Sequence, residues 1–289
     1  VNGAGRVFSA EWYRIARSRV MLGSALFLAL VAALRVVAAR MADASIYASS
    51  VQRALSQDRP VPPVPPIANA WAPFVDGWLA GLTVGTLLLL IASTRALAGD
   101  RESGLLRVAG TRSASRTGLV LGRAMVGVVL TLGAMLVAGL GAWFAATQLY
   151  EFGPVVEDNY ELVSSEELHV GLRMALLAAV PPLLTTWFFG LFVSSVTRSG
   201  TSAVAIGIAT YLGFDLFKEV LGDAQYYAFA AFNPSFVDNS CLNEFADVAR
   251  GFSDAGYSEL RYIQNLWMPW PQALLLVAAA CVVTRRRSL

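Results

Sequence analysis

The side chains with reactive chemistry in this 289-residue chain are few. Its one histidine, His169, lies among Glu151, Glu157, Asp158, Glu161, Glu166 and Glu167. With no second His or Cys beside it, it lacks a zinc ligand set and reads as a solvated loop residue. Cys241 falls in a long loop and Cys281 in the last apolar block, so neither a disulfide nor a metal site is expected. A single His also leaves no Ser/His/Asp or Cys/His arrangement for nucleophilic catalysis. No GxxxxGK[ST] loop is present to cradle phosphates. The chain is therefore expected to be no enzyme by itself, with no cofactor and no metal of its own. What stands out is residues 95–123, RALAGDRESGLLRVAGTRSASRTGLVLGR, where six arginines surround Asp100 and Glu102. Gly99 and Gly104 bracket the charged run Asp100, Arg101, Glu102 and Ser103, and Leu105, Leu106 and Arg107 follow. Thr111, Ser113 and Ser115 are turn and cap formers. A helix over 96–108 is expected to present a charged face to something beside the membrane.

That segment sits between apolar blocks. Hydrophobic residues make up 56% of the chain and charged residues 15%, against about 25% charged in a soluble domain. Blocks with almost no charge reach the roughly 20 residues a membrane helix needs. Backbone polar groups in hydrocarbon must pair within the protein, and alternating strand patterns are absent, so the spans are helices. The expected fold is all-α and membrane-embedded, a single domain over 1–289, with spans at about 20–39, 74–94, 124–149, 172–193, 201–217 and 268–283. Before them, residues 5–19 place Phe8, Trp12 and Ile15 at helical spacing, with arginines elsewhere, which predicts an amphipathic interfacial helix. Arg35, near the end of the first span, is expected to snorkel to the interface. Residues 40–72 read as a loop ending in a Pro-rich spacer, 150–170 as an acidic loop and 218–267 as a long loop. Pro181 and Pro182 are expected to kink the fourth span. Gly133, Gly139 and Gly141 are expected to allow close helix contact. No cleavable signal peptide is expected, because the first apolar block is long and lacks a small-residue cleavage site.

Charge fixes the orientation. The N-terminus, 95–123, 194–200 and the C-terminus carry fourteen Lys and Arg, and the opposite side carries seven. The positive-inside rule places the first set, and both termini, in the cytoplasm. The outer side is acidic, which argues against nucleic acid as a partner there.

The run Leu97–Arg107, L-A-G-D-R-E-S-G-L-L-R, resembles the signature of the ABC type-two permease family. Asp100-Arg101-Glu102 stands for the family's acid–Arg–Glu core, Ser103-Gly104-Leu105-Leu106 for its x-G-T-L part with Leu105 replacing Thr, and Ser115-Arg116 for its S-R element. The layout is similar as well: an amphipathic N-terminal helix, six spans and a long outer segment before the sixth. The resemblance implies a permease that pairs as a dimer and docks a cytoplasmic ATP-binding subunit, which would hold ATP and Mg. Residues 96–108, with Gly99, Asp100, Arg101, Glu102, Ser103, Gly104, Leu105 and Arg107, would be the coupling helix. Arg198, in the turn 194–200, would be a smaller contact. Part of 218–267 would form re-entrant helices. Export across the bacterial cytoplasmic membrane is the direction and place it implies.

Two other readings stay open: an ion-coupled or passive transporter, and a membrane scaffold for a periplasmic partner. Nearly uncharged central spans weaken the first. The longer first and fifth loops and the acidic 150–170 suggest an outer surface for an accessory protein. The mostly Ala, Leu, Val and Gly span faces would suit an amphipathic cargo, but the bilayer demands the same residues, so the cargo is open.

Overall fold

A computed structural model describes residues 3–61, 63, 69–104, 115–157, 160–252 and 258–286. Its helices are α1 (Ala4–Ala16), α2 (Arg19–Ser56), α3 (Trp71–Glu102), α4 (Arg116–Leu149), α5 (Ser165–Val196), α6 (Gly200–Phe217), α7 (Cys241–Ala249), α8 (Glu259–Trp267) and α9 (Pro269–Arg286). A short antiparallel hairpin, β1 (Val155–Glu157) and β2 (Tyr160–Val163), precedes α5, and two 3-10 helices, Lys218–Tyr227 and Phe229–Phe232, follow α6.

Serine sets many of the starts. Ser18, Ser115, Ser164, Ser199 and Ser240 each stand one residue before a helix and accept a bond from its first-turn N–H groups. Such a cap supplies an acceptor to a donor the helix itself cannot satisfy. At Ser164 the cap is reciprocal, with the Glu167 carboxylate returning to the Ser164 N–H. α3 ends where Gly104 adopts φ +75° and donates its N–H to Arg101 O at 3.2 Å. A residue with a Cβ resists that left-handed conformation, so the glycine stops the helix there.

α3 is the central helix, packed against α2, α4, α5, α6 and α7. Small residues make the approach close. A Cβ on Gly81 would meet the Ala138 Cβ at 2.8 Å, and one on Gly141 would meet Ala29 O at 2.5 Å. Gly139 takes the indole of Trp78 and Gly127 that of Trp187. Gly133 differs from the sequence expectation, since nothing lies within 4 Å of its Cβ position. It faces open space instead of a neighbour. The largest apolar cluster gathers Trp71, Phe74, Leu168, Leu183, Leu242 and Phe245 at the end of the bundle away from the arginine-rich segment. A smaller one, built on Leu97, Val120 and Leu191, lies near that segment.

Several boundaries differ from expectation. α2 runs on to Ser56, so most of the first half of 40–72 is helix and not loop. Its 38 residues span about 57 Å, well beyond a hydrocarbon core of about 30 Å. The proline run that ends the segment hid a polar but helix-compatible stretch, MADASIYASSVQRALS. α3 likewise continues through Glu102 as one helix, so residues 96–102 are its last turns and not a separate element. His169 lies in the first turns of α5, not in a loop, with Nδ1 2.6 Å from Ser165 O and its ring edge-on to Trp71. α5 is assigned as one helix through Pro181 and Pro182, and the Thr185 and Thr186 hydroxyls donate to the carbonyls of those prolines. The half-exposed Arg35 pairs its guanidinium with Asp76 of α3 at 3.1 Å. Segment 218–267 is structured in its described parts, and α7 is seated against α3 and α5.

Candidate functional site

The last turns of α3 carry the charged run toward three neighbours. Asp100 pairs with Arg123 of α4, whose side chain is only 6% exposed. Arg123 Nη2 also lies 3.3 Å from Glu11 Oε1 of α1. Arg14 completes the group, 2.6 Å from Glu11 and 3.8 Å from Asp100. Two carboxylates thus neutralise two guanidinium groups where α1, α3 and α4 converge. A buried cation is tolerated only with such partners.

The next two residues turn toward the α5–α6 connection. Arg101 donates to the Thr197 carbonyl. Glu102 Oε2 accepts the Gly200 N–H at 2.9 Å. One turn back, Ser194 Oγ of α5 accepts the N–H groups of both Leu97 and Ala98 at 2.9 Å. Arg116, beside the Ser115 cap, donates to Arg285 O at 3.2 Å and joins the start of α4 to the end of α9. The charged run is therefore a fastening point for the bundle. Asp100 and Arg101 are turned inward, because charged groups at a helix end among apolar neighbours must find internal partners.

Glu102, Ser103, Arg95 and Arg198 remain exposed. Gly99 and Gly104 are half-buried, and Gly99 lets Gly200 approach, with Gly99 Cα 3.4 Å from the Gly200 Cβ position. Leu105 and Arg107 fall outside the described residues, as do Leu106, Thr111 and Ser113. Phe8, Trp12 and Ile15 are half-buried on α1, which lies along α4 where Gly122 leaves room for Val7.

Two charge clusters escaped the sequence reading. Asp76 of α3 bridges Arg35 of α2 and Arg250, and Arg250 also binds Asp247. At the end of α6, Lys218 is fully buried, 2.9 Å from Asp215 Oδ1, and Ser235 Oγ donates to the same oxygen at 2.6 Å. The Phe236 N–H donates to Asp215 Oδ2 at 3.2 Å. Nearby, burial raises the Asp238 carboxyl to about 6, against the hydrogen bonds from Ser240. The only signal in sequence was an Asp and a Lys three residues apart at the end of an apolar block.

Among the described residues, five helices are long and apolar enough to cross a membrane: Arg19–Ser56, Trp71–Glu102, Arg116–Leu149, Ser165–Val196 and Glu259–Arg286, the last joining α8 and α9. With charged clusters gathered at helix ends, this is a multi-pass integral membrane protein. The profile of the ABC-2 family transporter proteins matches residues 6–245, and the chain belongs to that family. It is accordingly a membrane permease component of an ABC transporter, a transport subunit whose family associates with an ABC ATP-binding subunit. No curated protein sequence matches it.

Proposed function

We propose that this chain is the membrane half of an exporter, driven by a separate subunit that binds ATP and Mg and docks at the arginine-rich end. Six spans cross the membrane, with α6 as the fifth of them. Its 18 residues cover about 27 Å, close to the hydrocarbon thickness. Both termini lie in the cytoplasm, and two copies pair in the bacterial cytoplasmic membrane. Outward direction and pairing rest on the family resemblance. At the opposite end the hairpin exposes Val156, Tyr160 and Leu162, a surface suited to an accessory protein.

One observation carries the reading. The last turns of α3 are tied to α1 and α4 through Asp100 and to the α5–α6 connection through Arg101 and Glu102. A push delivered just beyond Gly104 would reach all of these elements together. ATP-driven closure needs such a stiff attachment, and residues 96–102 with the segment after them would serve as the coupling element. An ion-coupled carrier would instead need a carboxylate free to exchange a cation at mid-depth. Asp215 sits in the last turn of α6 and is already paired with Lys218.

Docking is tested on exposed positions, because loss of the fastening residues would loosen the bundle itself. The chain is co-expressed with a candidate ATP-binding subunit and purified in mild detergent. Arg198→Glu and Ser103→Trp are expected to reduce co-purified ATPase activity while leaving thermal unfolding of the permease unchanged. Full association and hydrolysis in both variants would reject docking at this end.

A further inference from the structure

A cavity of about 440 Å³ lies between α1, α2, α3 and α4. Leu28 of α2, Leu89 of α3, Val126 and Val137 of α4, and Trp187 of α5 form its apolar walls. Gly133 also lines it, and the open space at its Cβ position belongs to this void. The volume falls within the roughly 300–1,000 Å³ of ligand pockets. In a bilayer, the apolar molecules at hand are acyl chains.

One end of the cavity is polar, lined by Glu11, Arg14 and Arg123. Arg123 is almost wholly buried, and its Nη1 has no hydrogen-bond acceptor among the described residues. A buried guanidinium nitrogen without an acceptor costs free energy that a ligand oxygen would recover. With Asp100 bound to Arg123, this end carries two positive and two negative groups. A simple anion would meet the carboxylates, and a simple cation the arginines. A head group bearing both charges is complementary to both. Trp12 and Ile15 of α1 flank this end, and the amphipathic pattern of α1 suits the depth of lipid head groups.

We infer that the cavity binds one acyl chain of a zwitterionic phospholipid from the surrounding bilayer, with its phosphate toward Arg14 and Arg123 and its ammonium toward Glu11. The lipid then fills the space between α1 and the α2–α4 wall. The site borders the proposed coupling element through Ala96 and Asp100 but leaves the exposed Ser103 and Arg198 outside it, and its occupancy requires no ATP-binding subunit.

The test uses the full chain in vesicles of equal parts phosphatidylethanolamine and phosphatidylglycerol. Either lipid carries a diazirine at the end of one chain, and labelled peptides are mapped by mass spectrometry. In the wild type, the phosphatidylethanolamine probe is expected to label residues around Leu89, Val126 and Val137, exceeding the phosphatidylglycerol probe. Gly133→Leu fills the void from a position with no neighbour to displace. It is expected to lower cavity labelling about tenfold, while labelling of exposed Leu26 and Leu30 on α2 stays constant. Glu11→Gln removes the partner of the ammonium and leaves the cavity end net positive. It is expected to shift preference toward phosphatidylglycerol without abolishing chain labelling. Equal cavity labelling in wild type and Gly133→Leu would overturn the proposal. So would an absence of cavity labelling in the wild type, or cavity labelling that responds to neither head group nor Glu11.

Discussion

Asp100, near the end of α3, pairs with Arg123 of α4 across a gap of 23 residues in the chain. Every cation held in a low-dielectric setting needs such a partner, and here the partner comes from the signature run itself. The acid of the motif is thus bound first to its own subunit. Through Glu11 the same arginine draws α1 onto the bundle.

Removing that acid should loosen the arginine-rich end. Asp100→Asn is expected to destabilise the protein by about 2–4 kcal/mol, because it leaves Arg123 buried with Glu11 alone. Adding Arg123→Met should recover much of the loss, since the uncompensated charge goes with it. Thermal unfolding of the two single variants and the double variant in detergent reads the coupling, and strictly additive effects would rule out the pair.

The glycines of α4 should respond in opposite directions. Gly127→Ala drives a methyl into the indole of Trp187 and is expected to cost about 1–3 kcal/mol. Gly133→Ala meets nothing within 4 Å and should be neutral, or stabilising by about 0.5–1 kcal/mol through helix propensity. Thermal midpoints of the two variants, measured side by side, compare them directly.

Gly104→Ala should cost about 1 kcal/mol through backbone strain alone, as no atom lies within 4 Å of its Cβ position and its φ is +75°. Gly104→Asn, which tolerates the left-handed region better, should cost less. Equal losses in the two would mean that the left-handed stop is not what the glycine supplies.

Asp238 should make the far end of the molecule sensitive to acid in the unusual direction. Burial raises its carboxyl from 3.8 to about 6, so the folded chain keeps a proton that the unfolded chain releases in between. The contribution of Asp238 to stability is therefore largest below about 4, falls as pH rises through that window, and is constant above about 6. Asp238→Asn should flatten this part of a plot of unfolding midpoint against pH. An unchanged slope in that variant would assign the dependence elsewhere.

Cys241 should be inert to alkylation in the folded protein. It is 2% exposed, burial pushes its thiol up to about 11, and Asn265 Nδ2 donates to Sγ at 3.1 Å. Little thiolate is then present at pH 8. Maleimide labelling of Cys241, followed by peptide mass, should be slow in the native state and complete after denaturation. Fast native labelling would contradict the burial.

Local signals in the sequence were reliable because they depend on near neighbours. Ser115 caps α4 as its place before Arg116 suggests, and the helix expected over 5–19 forms as α1. Helix ends were harder. The continuation of α2 to Ser56 and of α3 to Glu102 carries polar residues that a hydropathy reading assigns to loops. Helical hydrogen bonding does not stop where the apolar block stops.

By itself, the sequence determined an all-α membrane protein, because the bilayer dictates apolar helices. The tertiary structure alone decided how its charges are spent. Arg35 meets Asp76 from 41 residues away, Asp76 meets Arg250 from 174, and Glu102 meets the Gly200 N–H from 98. Which partner a charged side chain finds depends on how the helices pack, and helical periodicity carries no record of distances that long.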